Sequence, residues 1–172
     1  MKVQSYTFYG EEEYDEKIFP VLDALFMDVM DDPDGYYMIA VNEAVSNAMN
    51  YGSHGADSEK VCIEIRLTES DITTVVMSDS RFFDVMLFRD KMRRLANDPQ
   101  ISGMRWGDYT SYMQRSRGFW LMLQPCEYLY LDVSGKRVSL VVRLPFSSAR
   151  ASQDRIKYLV PKFLVEKDGV IF

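Results

Sequence analysis

Val41-Asn42-Glu43-Ala44-Val45-Ser46-Asn47-Ala48-Met49-Asn50-Tyr51-Gly52 sets an acid and an amide four residues apart in a segment with helical spacing. On a period of about 3.6 residues, Glu43, Asn47 and Asn50 share one face, with Ser46 beside them. Ala40, Val41, Ala44, Val45 and Ala48 form an apolar stripe on another face, the pattern of a helix lying on a sheet. One carboxylate and two amides without a balancing Lys or Arg can offer a base and a metal ligand to a pocket. The same residues also suit a plain solvated helix face.

The flanking sequence supplies the elements such a helix packs on. Lys2 to Tyr9 alternates and carries aromatics, so it predicts a first strand. Glu11 to Met30 has helical periodicity, with acids in its first turns and Pro20 marking a start or a kink. Asp31-Asp32-Pro33-Asp34-Gly35 is a turn signal before the helix of Glu43. Lys60 to Leu67 and Ile72 to Met77 predict an antiparallel hairpin, and Phe82 to Leu95 a helix. Residues 96 to 117 predict a long irregular lid. Gly118 to Leu123 predicts a short helix, and Tyr128 to Val133 with Arg137 to Leu144 a last hairpin across Ser134-Gly135-Lys136. This order gives an α+β fold: a two-layer α/β sandwich with a mixed, mainly antiparallel sheet and helices on one face. Residues 1–145 form the domain, and 146–172 an extension that packs on it or on a partner.

Composition narrows the function classes. With 172 residues, 47% of them hydrophobic, the chain can bury one proper core. A net charge of −6 and a pI near 4.9 argue against direct nucleic-acid binding, which needs a basic patch. Cys62 and Cys126 lack metal-ligand spacing and read as buried thiols. The single histidine, His54, cannot build a zinc cluster alone and reads as an exposed loop residue. No apolar run approaches the ~18 residues of a membrane span, so a cytoplasmic protein with no membrane partner is expected.

Glu43-x-x-x-Asn47-Ala48-x-x-Tyr51-Gly52 resembles the first nucleotide-binding box of the ATPase superfamily that includes gyrase, heat-shock chaperones and histidine kinases. It is most similar to the anti-sigma factor serine/threonine kinases of bacteria, whose pattern Glu-x-x-x-Asn-Ala-x-x-His-Gly differs only at Tyr51. The second box, an Asp at a strand end followed by glycine, is matched by Asp79, with Arg81 where glycine is expected and Phe83-Asp84 echoing its end. The third, Gly-x-Gly-Leu, is matched by Gly118 and the apolar run that Phe119 opens, with Ser116 in place of the first glycine. The resemblance covers about residues 1–145 and implies the histidine-kinase-like ATPase fold. It implies Glu43 as catalytic general base and Asn47 as ligand to Mg²⁺. It places ATP among Asn47, Asn50, Asp79, Arg81, Arg117, Gly118 and Phe119.

Each position has a plainer alternative. Asp79 can be a turn residue that bonds its own backbone. Arg81 is either a solvated charge or a side chain in the adenine space. Arg115 and Arg117 either contact phosphates or belong to a solvated basic lid. A Cβ at positive φ costs about 1–2 kcal/mol, and ~1.4 kcal/mol is tenfold in affinity, so strain at Arg81 and Ser116 weakens ATP without abolishing it.

Three functions are weighed. The first is an anti-sigma-type kinase that phosphorylates a small anti-anti-sigma domain protein and holds a sigma factor. The second is a catalytically inactive, nucleotide-free binding module of the same fold. For it, Trp106, Tyr109, Tyr112, Phe119 and Trp120 are interface candidates, or else lid packing. The third, a histidine-kinase catalytic domain, fits least, because His54 lies at the first box. Apolar clusters in 146–172 also suit a homodimer contact.

Overall fold

The computed structural model of the chain describes residues 1–81, 83–111 and 117–172. The sheet has seven strands: β1 (Lys2–Tyr9), β2 (Lys60–Leu67), β3 (Asp71–Ser78), β4 (Tyr128–Asp132), β5 (Arg137–Arg143), β6 (Phe163–Lys167) and β7 (Val170–Ile171). Their spatial order is β1-β2-β3-β5-β4-β6-β7. Every pairing is antiparallel except β4 with β6, which is parallel. The fold is thus mixed α+β with an open, mostly antiparallel sheet.

Alternation decides which face of the sheet the helices cover. One row runs Tyr6, Ile63, Val76, Val138, Leu131, Val165, and the next Gln4, Ile65, Thr74, Leu140, Leu129, Phe163. Most of these side chains belong to the core. A one-residue slip of any strand would turn its apolar set away from that core.

The helices are α1 (Gly10–Glu13), α2 (Phe19–Val29), α3 (Tyr36–Asn50), α4 (Val85–Asn97), α5 (Trp106–Ser111), α6 (Arg117–Leu123), α7 (Ser148–Ala151) and α8 (Ile156–Leu159). A π-helical turn, Tyr14–Ile18, joins α1 to α2, and Pro20 lies in the first turn of α2, where its missing N–H is harmless. Helix α3 lies over β2 and β3, α6 over β4, and α4 over β6.

Three expectations change: the start of the helix after β3, the irregular lid and the burial of Cys62. The helix after β3 begins at Val85, because the Asp84 side chain accepts from Leu87 N (2.9 Å) and caps it there. The stretch read as an irregular lid contains α5, whose Trp106 is buried and donates from Nε1 to Gln124 Oε1 at 2.9 Å. Phe119 and Trp120 are buried as well, and Tyr109 packs against the core, so of the two readings of these aromatics, packing onto the domain is the one observed. Tyr112, Arg115 and Ser116 lie outside the described residues. Cys62 is only half-buried, because even-numbered positions of β2 face away from the core; Cys126 is buried. The 146–172 segment packs on residues 1–145 and adds β6 and β7 to the sheet: Leu129 to Asp132 register with Phe163 to Glu166.

Candidate functional site

The site is built on α3, and two tyrosines fix how α3 lies. Tyr37, fully buried, donates from its hydroxyl to Thr74 Oγ1 (2.7 Å) on β3 and approaches Leu140 O (3.3 Å) on β5. Burial holds its hydroxyl pKa well above the ordinary phenol value. The backbone N–H of Tyr37 is taken by Asp32 Oδ2 at 2.8 Å. From the other side, Tyr14 donates its hydroxyl to Asn42 Oδ1. Val41, Ala44 and Val45 are at most 1% exposed against the sheet, so the Glu43–Asn47 face turns elsewhere.

That face meets α6. A Cβ on Gly118 would lie 2.5 Å from Glu43 Oε2 and 3.7 Å from Asn47 Nδ2. Only glycine lets the start of α6 come this close to the carboxylate. One turn further on, Asn47 Nδ2 points to Met122 Sδ at 3.9 Å, a weak contact that directs the amide oxygen away from α6. Asn50 is exposed and gives its Nδ2 to Ser46 Oγ (3.0 Å). Arg117 is exposed at the first turn of α6. Phe119 turns inward, edge-to-face with Phe88 (4.8 Å) and Phe163 (5.1 Å).

The C-terminal end of α3 is tied to the segment that leaves β3. Arg81 N donates to Tyr51 O (2.9 Å), Ser53 N to Asp79 O (3.1 Å), and Gly52 bridges to Ser80. Beneath this junction lies Glu59, a carboxylate with no exposed surface. Its Oε1 accepts from Asp79 N (3.1 Å) and its Oε2 from His54 N (3.0 Å), with His54 Nδ1 at 3.3 Å. A Cβ on Gly52 would stand 2.3 Å from Glu59 Cδ, so this glycine too is set by a close approach. The ring of His54 is exposed on its outer side. The Arg81 side chain is exposed.

The Asp79 carboxylate pairs with Lys136 Nζ from the β4–β5 turn, and that hydrogen bond lowers its pKa below the ordinary carboxylate value. Ser80 Oγ donates to Gly135 O (3.0 Å) in the same turn. The fold therefore gathers Glu43, Asn47 and Gly118 in one place on α3, and Tyr51, Gly52, Asp79 and Arg81 in another, just past its C-terminal end. Asn50 and Phe119 are committed to other partners. Glu59 and Lys136 were not legible as site residues. Among the described residues, no cluster of three or more His, Cys, Asp or Glu forms a metal-binding group. No described helix is long and apolar enough to cross a membrane.

Comparison of the sequence with protein-family models and with curated proteins gives no match in either case.

Proposed function

We propose that the chain is an anti-sigma-type regulatory protein of the histidine-kinase-like ATPase fold. It binds ATP with Mg²⁺ along α3 and phosphorylates or sequesters a protein partner, a sigma factor or an anti-anti-sigma domain protein. The observation that carries this reading is the seating of Gly118 on Glu43 and Asn47. A glycine backbone pressed against a carboxylate and an amide is a close approach that a single Cβ would block. From Glu43 to Tyr51, α3 runs about 12 Å at ~1.5 Å per residue. That length is on the scale of an extended nucleoside triphosphate, so phosphates at Gly118 and a base at Asp79 suit one ligand.

The residues fit that group. Asn47 Oδ1 is a hard oxygen of the kind Mg²⁺ takes, and Arg117 offers charge to a polyphosphate. Asp79 would accept from the adenine amino group after parting from Lys136. Bound ATP supplies the phosphoryl group. Glu43 accepts the proton of a partner's serine or threonine hydroxyl, raising the nucleophilicity of that oxygen.

One observation favours a second reading, a nucleotide-free binding module of the same fold: the Asp79 carboxylate already has a cationic partner in Lys136. Calorimetric titration of ATP and ADP, with and without Mg²⁺, into the wild type and Asn47→Ala separates the two. Mg²⁺-dependent binding that the variant loses supports the nucleotide site. Absence of heat in the wild type overturns it and leaves the binding module. If ATP binds, Glu43→Ala should keep that binding and lose phosphotransfer; full-rate transfer by the variant removes Glu43 as base.

A further inference from the structure

Away from α3, a cavity of about 250 Å³ opens where the 146–172 segment meets the sheet. Its walls bring together three cations, Arg143, Arg150 and Lys162, around one carboxylate, Glu127, with Phe146 and Tyr158 as apolar walls. In a chain of net charge −6, such an excess of positive charge is a local feature with its own cause.

The cations are not saturated by Glu127. Arg150 Nη1 stands 3.5 Å from Glu127 Oε2, and Arg143 Nη2 stands 3.9 Å from Oε1, both longer than a good charge-assisted hydrogen bond. Each guanidinium carries five N–H donors, so most remain for another acceptor. Lys162 is half-buried and gives one hydrogen bond, 3.1 Å, to Gln124 O. Burial lowers its pKa, and the nearby Glu127 offsets this only in part. Cys126 lies on the floor, but burial pushes its thiol up to about 12, so it offers no nucleophile.

We propose that this cavity binds a small organic oxyanion, a carboxylate or phosphate head held by Arg143, Arg150 and Lys162, with an apolar body against Phe146 and Tyr158. The volume of about 250 Å³ lies just below the usual range of small-molecule sites, about 300–1,000 Å³, so the ligand is a small one. Glu127 and Arg143 belong to the sheet region, whereas Arg150, Tyr158 and Lys162 come from the 146–172 segment. A bound anion therefore cross-links the two and raises the stability of the docked segment by mass action.

The test is a ¹H–¹⁵N NMR titration of the full chain with phenyl phosphate, benzoate and inorganic phosphate, each to millimolar concentration. The expected result is saturable shifts at 126–127, 142–150 and 158–162 with phenyl phosphate or benzoate, the tighter of the two identifying the head group. Arg150→Ala and Lys162→Gln should each weaken binding about tenfold, the effect of one charge-assisted hydrogen bond. Glu127→Gln, which removes the one carboxylate, should strengthen it. Arg150 is exposed, so its variant tests the site without disturbing the core. No saturable shift from any probe overturns the proposal. Shifts that both cation variants leave intact overturn it too, as does inorganic phosphate binding as tightly as phenyl phosphate, which would indicate a bare cationic patch.

Discussion

Gly118 and Glu43 are in such close apposition that a methyl group at position 118 would lie 2.5 Å from Glu43 Oε2. The atom it meets is the far end of a flexible, half-buried carboxylate, which can swing aside. Gly118→Ala should therefore cost about 1 kcal/mol in urea unfolding, the low end for overpacking, while displacing Glu43. If the proposed function holds, phosphotransfer falls far more than stability does. A loss of about 3 kcal/mol would mean that the carboxylate cannot turn away.

Gly52→Ala is the contrasting case. The added Cβ would stand 2.3 Å from Glu59 Cδ and 2.4 Å from Glu59 Oε2. Glu59 has no exposed surface, and its oxygens hold the backbone N–H groups of His54 and Asp79. Relief would require breaking these buried hydrogen bonds, each leaving a buried N–H unsatisfied at a cost of about 1–3 kcal/mol. The variant should lose about 3 kcal/mol or more by denaturant unfolding. A loss as small as that expected for Gly118→Ala would show that the Glu59 junction is soft.

Both glycines stand out in the sequence, but the partners that make them necessary do not. The strands were readable because alternation is local: Lys60–Leu67 shows its buried face in Val61, Ile63 and Ile65. The helix of Glu43 was readable for the same reason, through its apolar stripe. Strand β6 was not, because its parallel pairing with β4 joins residues far apart in the chain and leaves no local turn signal. Glu59 resembles any other acid near a turn; its burial follows from residues 52–59 folding beneath the end of β3. Lys136 reads as a turn residue, and only the register of β3 against β5 brings it to Asp79. Trp106, Phe119 and Trp120 sit in a glycine-punctuated stretch that looks exposed, yet α5 and α6 roll them into the core.

Tyr37→Phe tests the anchor of α3. It removes a buried hydroxyl that donates to Thr74 Oγ1 at 2.7 Å and lies 3.3 Å from Leu140 O, leaving the ring in place. Thr74 is fully buried and no longer has that donor. The expected loss is about 1–3 kcal/mol, read as a lower urea midpoint at unchanged slope. An unchanged midpoint would mean that packing alone seats α3 and the hydroxyl is dispensable.

Asp79 and Lys136 carry the pH prediction. Their side chains are 59% and 51% exposed, so the pair contributes little to stability, and salt screens it. Its sign is nevertheless fixed. The Lys136 hydrogen bond lowers the Asp79 pKa from the ordinary value of 3.8, so the contribution is present above that value and is lost as the pH falls through the folded-state pKa. In Lys136→Met, an NMR titration of the Asp79 carboxyl should move back up toward 3.8. The same variant bears on function. If Asp79 accepts from an adenine, it must first leave Lys136, and removing that competitor should tighten ATP binding by calorimetry. Unchanged or weaker binding in a variant whose Asp79 has returned to its ordinary pKa would show that this carboxylate is a turn residue serving the β4–β5 hairpin and not a base contact.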